Sequence, residues 1–160
     1  MKNIAVFAIT AALSFSAYAQ APSAEDINKS VAEEDKAKIA MMKNDLETAY
    51  VHMKNAAQLD PTNSTFFNSV AYLAMKNGEP EKAIEFLENA KKLDQDSFGE
   101  GHPNVAAVIN NMASVYSSMG NHDKAVEHYQ QAYDMVAAAL GEKHPQAENI
   151  KNLLENEKAK

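Results

Sequence analysis

Gly99-Glu100-Gly101-His102-Pro103 and Gly141-Glu142-Lys143-His144-Pro145 carry the same turn chemistry 42 residues apart. The copy extends well beyond the loop. Sliding residues 68–112 onto 110–154 matches Asn68 with Asn110, Ala71 with Ala113, Gly78 with Gly120, Lys82 with Lys124, Ala83 with Ala125, Glu85 with Glu127, Ala90 with Ala132 and Asn110 with Asn152. With the four identities of the loop this makes 12 in 45 aligned pairs, where composition alone gives roughly three. A self-match at such a spacing means stacked copies of one supersecondary unit, none of which buries its apolar face alone.

Helical periodicity fills the intervals between the turns. Ser23-x-x-Asp26 is a capping pattern that opens a helix carrying Val31, Ala37, Ala40 and Met41. After a turn at Lys43-Asn44-Asp45, Leu46, Ala49, Met53, Ala56 and Leu59 form a one-sided stripe that stops at Asp60-Pro61. A helix from about Ser64 to Lys76 ends at Asn77-Gly78, and Pro80 suits the first turn of the next, whose stripe is Ala83, Phe86, Leu87, Ala90 and Leu93. Pro103 opens a helix to Met119, closed by Gly120. Asp123 starts its partner, with Ala125, Tyr129, Ala132 and Val136 inward, and Pro145 to about Lys158 forms a last helix rich in lysine and glutamate. No strand-like alternation occurs. The expected fold is all-α.

Three two-helix units superpose on their small residues: Ala37, Ala71 and Ala113 in the first helix, Ala49, Ala83 and Ala125 in the second, then Ala56, Ala90 and Ala132. Small side chains belong where the helices of a unit cross closely, and the aligned Met53, Leu87 and Tyr129 fill the gap to the next unit. This pattern resembles the tetratricopeptide repeat (TPR) family. Asp60-Pro61 matches the proline that closes a repeat there. The 42-residue spacing with G-x-x-H-P-x-x-A, together with Asn110-Asn111-Met112-Ala113, Tyr116 and Gly120, is similar to the longer subclass found in kinesin light chains and many bacterial proteins. The chain departs from the family by carrying alanine in place of the first-helix glycine in all three units, and Asn44 in place of a glycine turn in the first. The resemblance implies a right-handed solenoid of helical hairpins with repeats at about 30–63, 64–102 and 103–144 and a capping helix at 145–158, the whole domain spanning 28–160 after a flexible lead at 20–27.

The first nineteen residues stand apart from this pattern. Lys2 gives a cationic start, Ile4 to Phe15 is apolar apart from Thr10 and Ser14, and Ala17-Tyr18-Ala19 has the small-x-small form of a signal-peptidase site. A cleavable signal peptide cut between Ala19 and Gln20 follows, with a periplasmic or secreted location. The apolar run falls short of the about 20 residues that span a bilayer, and the absence of cysteine excludes a lipid-anchored lipoprotein and disulfides alike. The part after the cut holds 14 lysines, no arginine and 22 acidic residues, a net charge of −8. Binding to nucleic acid rests on cationic charge and counterion release, so it is disfavoured, as is an anionic membrane surface. A basic partner is compatible with this charge.

In such a stack one face of each first helix lines a concave groove. Helical geometry places Thr65, Asn68, Tyr72, Met75 and Lys76 there in the second unit, and Ala107, Asn110, Asn111, Ser114, Ser117 and Ser118 in the third. Glu34, Asp35, Lys38, Met41 and Met42 take the equivalent place in the first, and Asn149 and Asn152 in the terminal helix. Asn68, Asn110 and Asn152 then make a row of amides able to pair with an extended peptide backbone whatever its sequence, as the resemblance implies; alternatively each fixes the stacking by bonding its neighbour. Tyr72 reads as an interface anchor or as cover for the next helix, and the methionines as an adaptable patch or as packing. Only Lys38 and Lys76 supply groove cations, too few for the family's carboxylate clamp.

Other chemistry is thin. His102 and His144 precede prolines in equivalent loops, which points to loop shaping. His122 and His128 have no third ligand at a metal spacing, and no zinc motif occurs. There is no G-x-S-x-G elbow and no phosphate-cradling glycine loop. Asn63-Ser64-Thr65 reads as a helix cap, and Glu155–Lys160 as a solvated end. The reading is a non-enzymatic exported scaffold without metal or cofactor. It captures an extended peptide or partner helix through Asn68, Tyr72, Lys76, Asn110, Asn111, Ser114 and Asn152. A self-associating spacer of the cell envelope is the alternative.

Overall fold

The computed structural model describes residues 21–160; the expected signal peptide and its cut before Gln20 lie outside them. Seven helices and no strand occur among the described residues: α1 (Ala24–Met42), α2 (Leu46–Leu59), α3 (Ser64–Lys76), α4 (Pro80–Phe98), α5 (Pro103–Ser118), α6 (His122–Leu140) and α7 (Pro145–Lys158). Each packs chiefly on its neighbours in sequence. The pairs α1–α2, α3–α4 and α5–α6 form three antiparallel hairpins, and α7 closes the stack. The lead expected over 20–27 ends sooner, because Ser23 and Asp26 cap each other's backbone N–H groups and start α1 at Ala24.

The hairpins close where side chains are smallest. Ala37, Ala71 and Ala113 of the first helices, with Ala49, Ala83, Ala125, Ala56, Ala90 and Ala132 of the second, each show no more than 1% of their surface. A methyl group at those crossings lets two backbones approach to the short end of the helix-packing range. Larger residues then bridge the units. Phe66, Val70 and Leu73 on α3 recur 42 residues later as Val108, Met112 and Val115 on α5, all in one core cluster. The opposite face of α5 joins α6 and α7 in a second cluster, and Tyr116 packs against both.

On α7 that stripe continues as Ile150, Leu154 and Glu157. Glu157 is only 4% exposed, so the expectation of a wholly solvated C-terminal end is corrected at this residue. The carboxylate survives burial because it is fully partnered: Ser117 Oγ donates at 2.7 Å, His122 Nδ1 lies at 2.6 Å and Lys160 Nζ donates at 2.8 Å. Glu33 makes a similar clasp at the other end of the stack. It holds Asn55 Nδ2 at 3.1 Å, His52 Nδ1 at 2.8 Å and the Lys36 ammonium, tying α1 to α2.

The repeated loop is a small machine for starting a helix. Gly99 (φ 89°, ψ 158°) and Gly141 (φ 93°, ψ 149°) adopt backbone conformations open to glycine. Their carbonyls accept the N–H of His102 and His144, and each histidine Nδ1 accepts the N–H two residues on, at 3.2 Å in both copies. Pro103 and Pro145 occupy the first helical turn, where a missing N–H costs nothing. In the first unit Asn44 (φ 58°) does the work of the turn glycine, as its short polar side chain permits.

A methyl group added at Gly99 or Gly141 meets no atom within 4 Å, so the cost of substitution is backbone strain alone. Gly99→Ala and Gly141→Ala are each expected to destabilise the chain by about 1–3 kcal/mol, whereas Asn44→Gly changes stability by less than about 1 kcal/mol; urea titration followed by circular dichroism measures all three. The two clasps set the acid response. Burial pushes the Glu157 carboxyl up, but hydrogen bonds from His122, Lys160 and Ser117 outweigh it and hold the group at about 2, against 4.5 ordinarily. Lys36, His52 and Asn55 hold Glu33 at about 2 as well. The unfolded chain therefore takes up protons first, and the contribution of both groups, complete above the ordinary carboxylate range, is lost as pH falls from about 4.5 towards 2. Melting temperature is expected to drop steeply over that interval and less steeply in Glu157→Gln; equal slopes would remove the clasp from the account.

Candidate functional site

The first helices α1, α3 and α5 line the groove, and two clefts open along it. Between α3 and α5 lies a cavity of about 240 Å³ whose floor is Ala71, Leu87 and Val115, with Asn68, Tyr72, Met75, Asn111 and Ser114 above. Between α1 and α3 lies another of about 360 Å³, floored by Met53 and walled by Glu34, Lys38, Met41, Thr65, Asn68, Ser69 and Tyr72. Asn68 and Tyr72 belong to both linings. Tyr72, 46% exposed, is thus the partition of the groove, with Lys76 Nζ 5.5 Å from its ring centroid.

The amides meet differently from the row that the 42-residue offset predicts. Asn111 Nδ2 donates to Asn68 Oδ1 at 3.1 Å, while Asn68 Nδ2 donates to the Ser64 carbonyl at 3.3 Å. Asn110, the repeat equivalent of Asn68, keeps its Oδ1 covered and without a protein partner. The reason is geometric. Residues related by the repeat point the same way, whereas a touching pair needs one residue from each facing flank, one position further round the helix. Thus Asn68 faces Asn111. The residue that stands to Asn110 as Asn111 stands to Asn68 is Leu153, which offers no donor. Asn152 is exposed on α7 and lines neither cleft.

Hydroxyls at the α5 end are already engaged. Ser114 Oγ and Tyr129 OH lie 2.9 Å apart, which fixes the wall of the smaller cleft to α6, and Ser117 is taken by Glu157. Lys38 Nζ lies 2.9 Å from Glu34 and 3.9 Å from Asp35. Neither groove lysine stands free in the manner of a carboxylate clamp. The residues missed as groove components are Met53, Leu87, Val115, Ser69 and Ala71. The first two were legible as the large residues aligned after the second-helix alanines, but their exposure to the groove depends on how far the first helices part.

The tetratricopeptide repeat family model matches residues 62–138 and 105–154, together more than half of the chain. The chain belongs to the tetratricopeptide repeat family. Stress-induced-phosphoprotein 1 of Caenorhabditis elegans is 31% identical over 67 residues, which are 42% of this chain and 21% of that protein; the chain thus spans about a fifth of this relative's length. A putative kinesin light chain with TPR-like repeats from Podosopora anserina superposes with a TM-score of 0.67 at 19% identity, over 79% of this chain and 63% of that one. PcrH in complex with the chaperone binding region of PopD gives 0.64 at 16% identity, over 79% and 89%. At these identities the structural matches speak for the TPR fold alone.

Asn110 supplies a direct check of the facing-pair geometry. A buried amide oxygen without a partner costs about 1–3 kcal/mol, so Asn110→Leu is expected to stabilise the chain, while Asn111→Leu, which strips Asn68 of its donor, is neutral or destabilising. Thermal melts of the two variants read the difference, and a loss of stability in Asn110→Leu would contradict the assignment.

Proposed function

We propose that this TPR chain is a non-enzymatic interaction module that captures an extended segment or helix of another protein in the groove lined by α1, α3 and α5. One observation carries the reading: two apolar-floored clefts flank the half-exposed Tyr72, and the paired amides of Asn68 and Asn111 bridge the walls of the smaller one. An apolar floor with a few convergent polar groups is the form of a binding site. Amides are the side chains that complement a peptide backbone at both its donor and its acceptor. PcrH, a protein of the same fold, is described in complex with the chaperone binding region of PopD, which supports a protein ligand here. Among the described residues no group of three or more His, Asp or Glu side chains gathers as a metal site, and no helix is long and apolar enough to cross a membrane.

We infer in addition that residues 1–19 direct export, to the periplasm or beyond, and are removed there; the cationic start, apolar run and Ala17-Tyr18-Ala19 support this. A self-associating spacer is the second reading. Ile27, Val31 and Met42 on α1, exposed at 42%, 47% and 87%, favour it.

Site-directed photocrosslinking in the source cell tests these readings together. A photoreactive phenylalanine analogue at position 72 is expected to trap a foreign protein, one at position 85 on the outer helix α4 is expected to trap none, and the recovered chain begins at Gln20. Adducts from position 85 alone would move the site out of the groove. Adducts between two copies of the chain would favour the spacer.

A further inference from the structure

The charges around the larger cleft are arranged for a ligand of one sign. Lys38 is the cation nearest to that cleft, and two carboxylates already surround it: Glu34 at 2.9 Å and Asp35 at 3.9 Å. Asp35, with 67% of its side chain exposed, holds Lys38 only at the limit of an ion pair, so it retains most of its charge for a partner. Lys76 lies one helical turn beyond Tyr72, against that ring and at the opposite end of α3 from Asn68, which is the repeat equivalent of Glu34. The α1 side of the groove is therefore net negative, on a chain whose net charge is −7.

The two clefts give the apolar half of the recognition. A volume of about 240 Å³ beside Tyr72 falls below the roughly 300–1,000 Å³ of small-molecule sites, and it suits a single large side chain. The other cleft, of about 360 Å³, opens on the far side of Tyr72. Adjacent packed helices lie about 8–10 Å apart, and an extended chain in the polyproline II form advances about 3.1 Å per residue and returns to the same face every third residue, so side chains three residues apart on one segment reach both clefts.

We propose that the groove selects an extended segment bearing two large apolar residues about three positions apart and a lysine or arginine at the α1 end, placed against Glu34 and Asp35. This rests on the groove being the capture site, as proposed above, and specifies what it captures. Acidic tails are disfavoured by the same carboxylates. Tyr72 gives the apolar anchors their shared wall, and the Asn68–Asn111 pair faces the backbone between them.

Selection of a displayed library of random 12-residue peptides against the full chain tests the assignment, with enriched peptides then measured by fluorescence anisotropy. Expected are peptides with the apolar pair and a basic residue. Their affinity falls about tenfold or more in Tyr72→Ala and about threefold in Glu34→Gln/Asp35→Asn, with a comparable fall at high salt. Met41→Lys serves as a second groove variant should Tyr72→Ala disturb folding. Enrichment of acidic peptides that depend on Tyr72, or basic ones indifferent to the Glu34/Asp35 change, would overturn the charge assignment and leave groove capture standing. Recovery of no peptide sensitive to Tyr72→Ala or Met41→Lys would overturn both.

Discussion

The fold depends on nine alanines that touch nothing but protein. In each hairpin they sit where two helices cross, and a side chain larger than methyl there would push the backbones apart. Close crossing within a hairpin has a consequence between hairpins. The second helices must carry bulk to reach the next unit, and Met53, Leu87 and Tyr129 supply it. Because Met53 and Leu87 also floor the clefts of the groove, the residues that hold the units together also shape the groove surface. Substitutions at the groove floor and at the unit contacts are thus the same substitutions, while Asn68, Tyr72 and Asn111 on the walls vary at little cost to the stack.

In the first and last helices of the described stack a partnered carboxylate supplements the apolar packing. Glu33 near the start and Glu157 at the finish are each enclosed by donors from more than one side chain. Glu157 takes the position that Leu73 and Val115 hold in the inner units. A carboxylate there ends the apolar series while its hydrogen bonds to Ser117 on α5 and His122 on α6 keep α7 docked. Such a group contributes only while it stays ionised and paired.

Most of the scaffold was legible because it repeats. The alanine positions, the glycine turns and the His-Pro helix starts recur at fixed spacing, and each has a local physical reason that a single chain displays. Asn44 was readable as a turn on the same grounds. What escaped were features that depend on two helices facing each other. The offset aligns Asn68 with Asn110, yet the amide bonded to Asn68 is Asn111, since translation relates parallel side chains and contact needs opposed ones. Glu157 escaped for a different reason: the 42-residue offset aligns it with the buried Leu73 and Val115, but a glutamate within a run of glutamate and lysine reads as solvated, and only its meeting with residues 35 and 40 positions earlier shows how its charge is kept when buried.

The distinction between repeated and facing positions also means that each junction between units differs in chemistry although the scaffold repeats. Positions 34, 68, 110 and 152 hold Glu, Asn, Asn and Asn, and their facing partners at 69, 111 and 153 are Ser, Asn and Leu. The alanine crossings impose no rule on either series, so each inter-unit junction along the groove has its own chemistry. The first junction is acidic and apolar, the second amide-lined, and the third leaves an amide oxygen facing a leucine flank. The groove therefore presents a fixed order of charge, amide and apolar surface from its α1 end onward. Reading a solenoid for function accordingly means reading its departures from the repeat, junction by junction, against the alanines that keep the junctions in register.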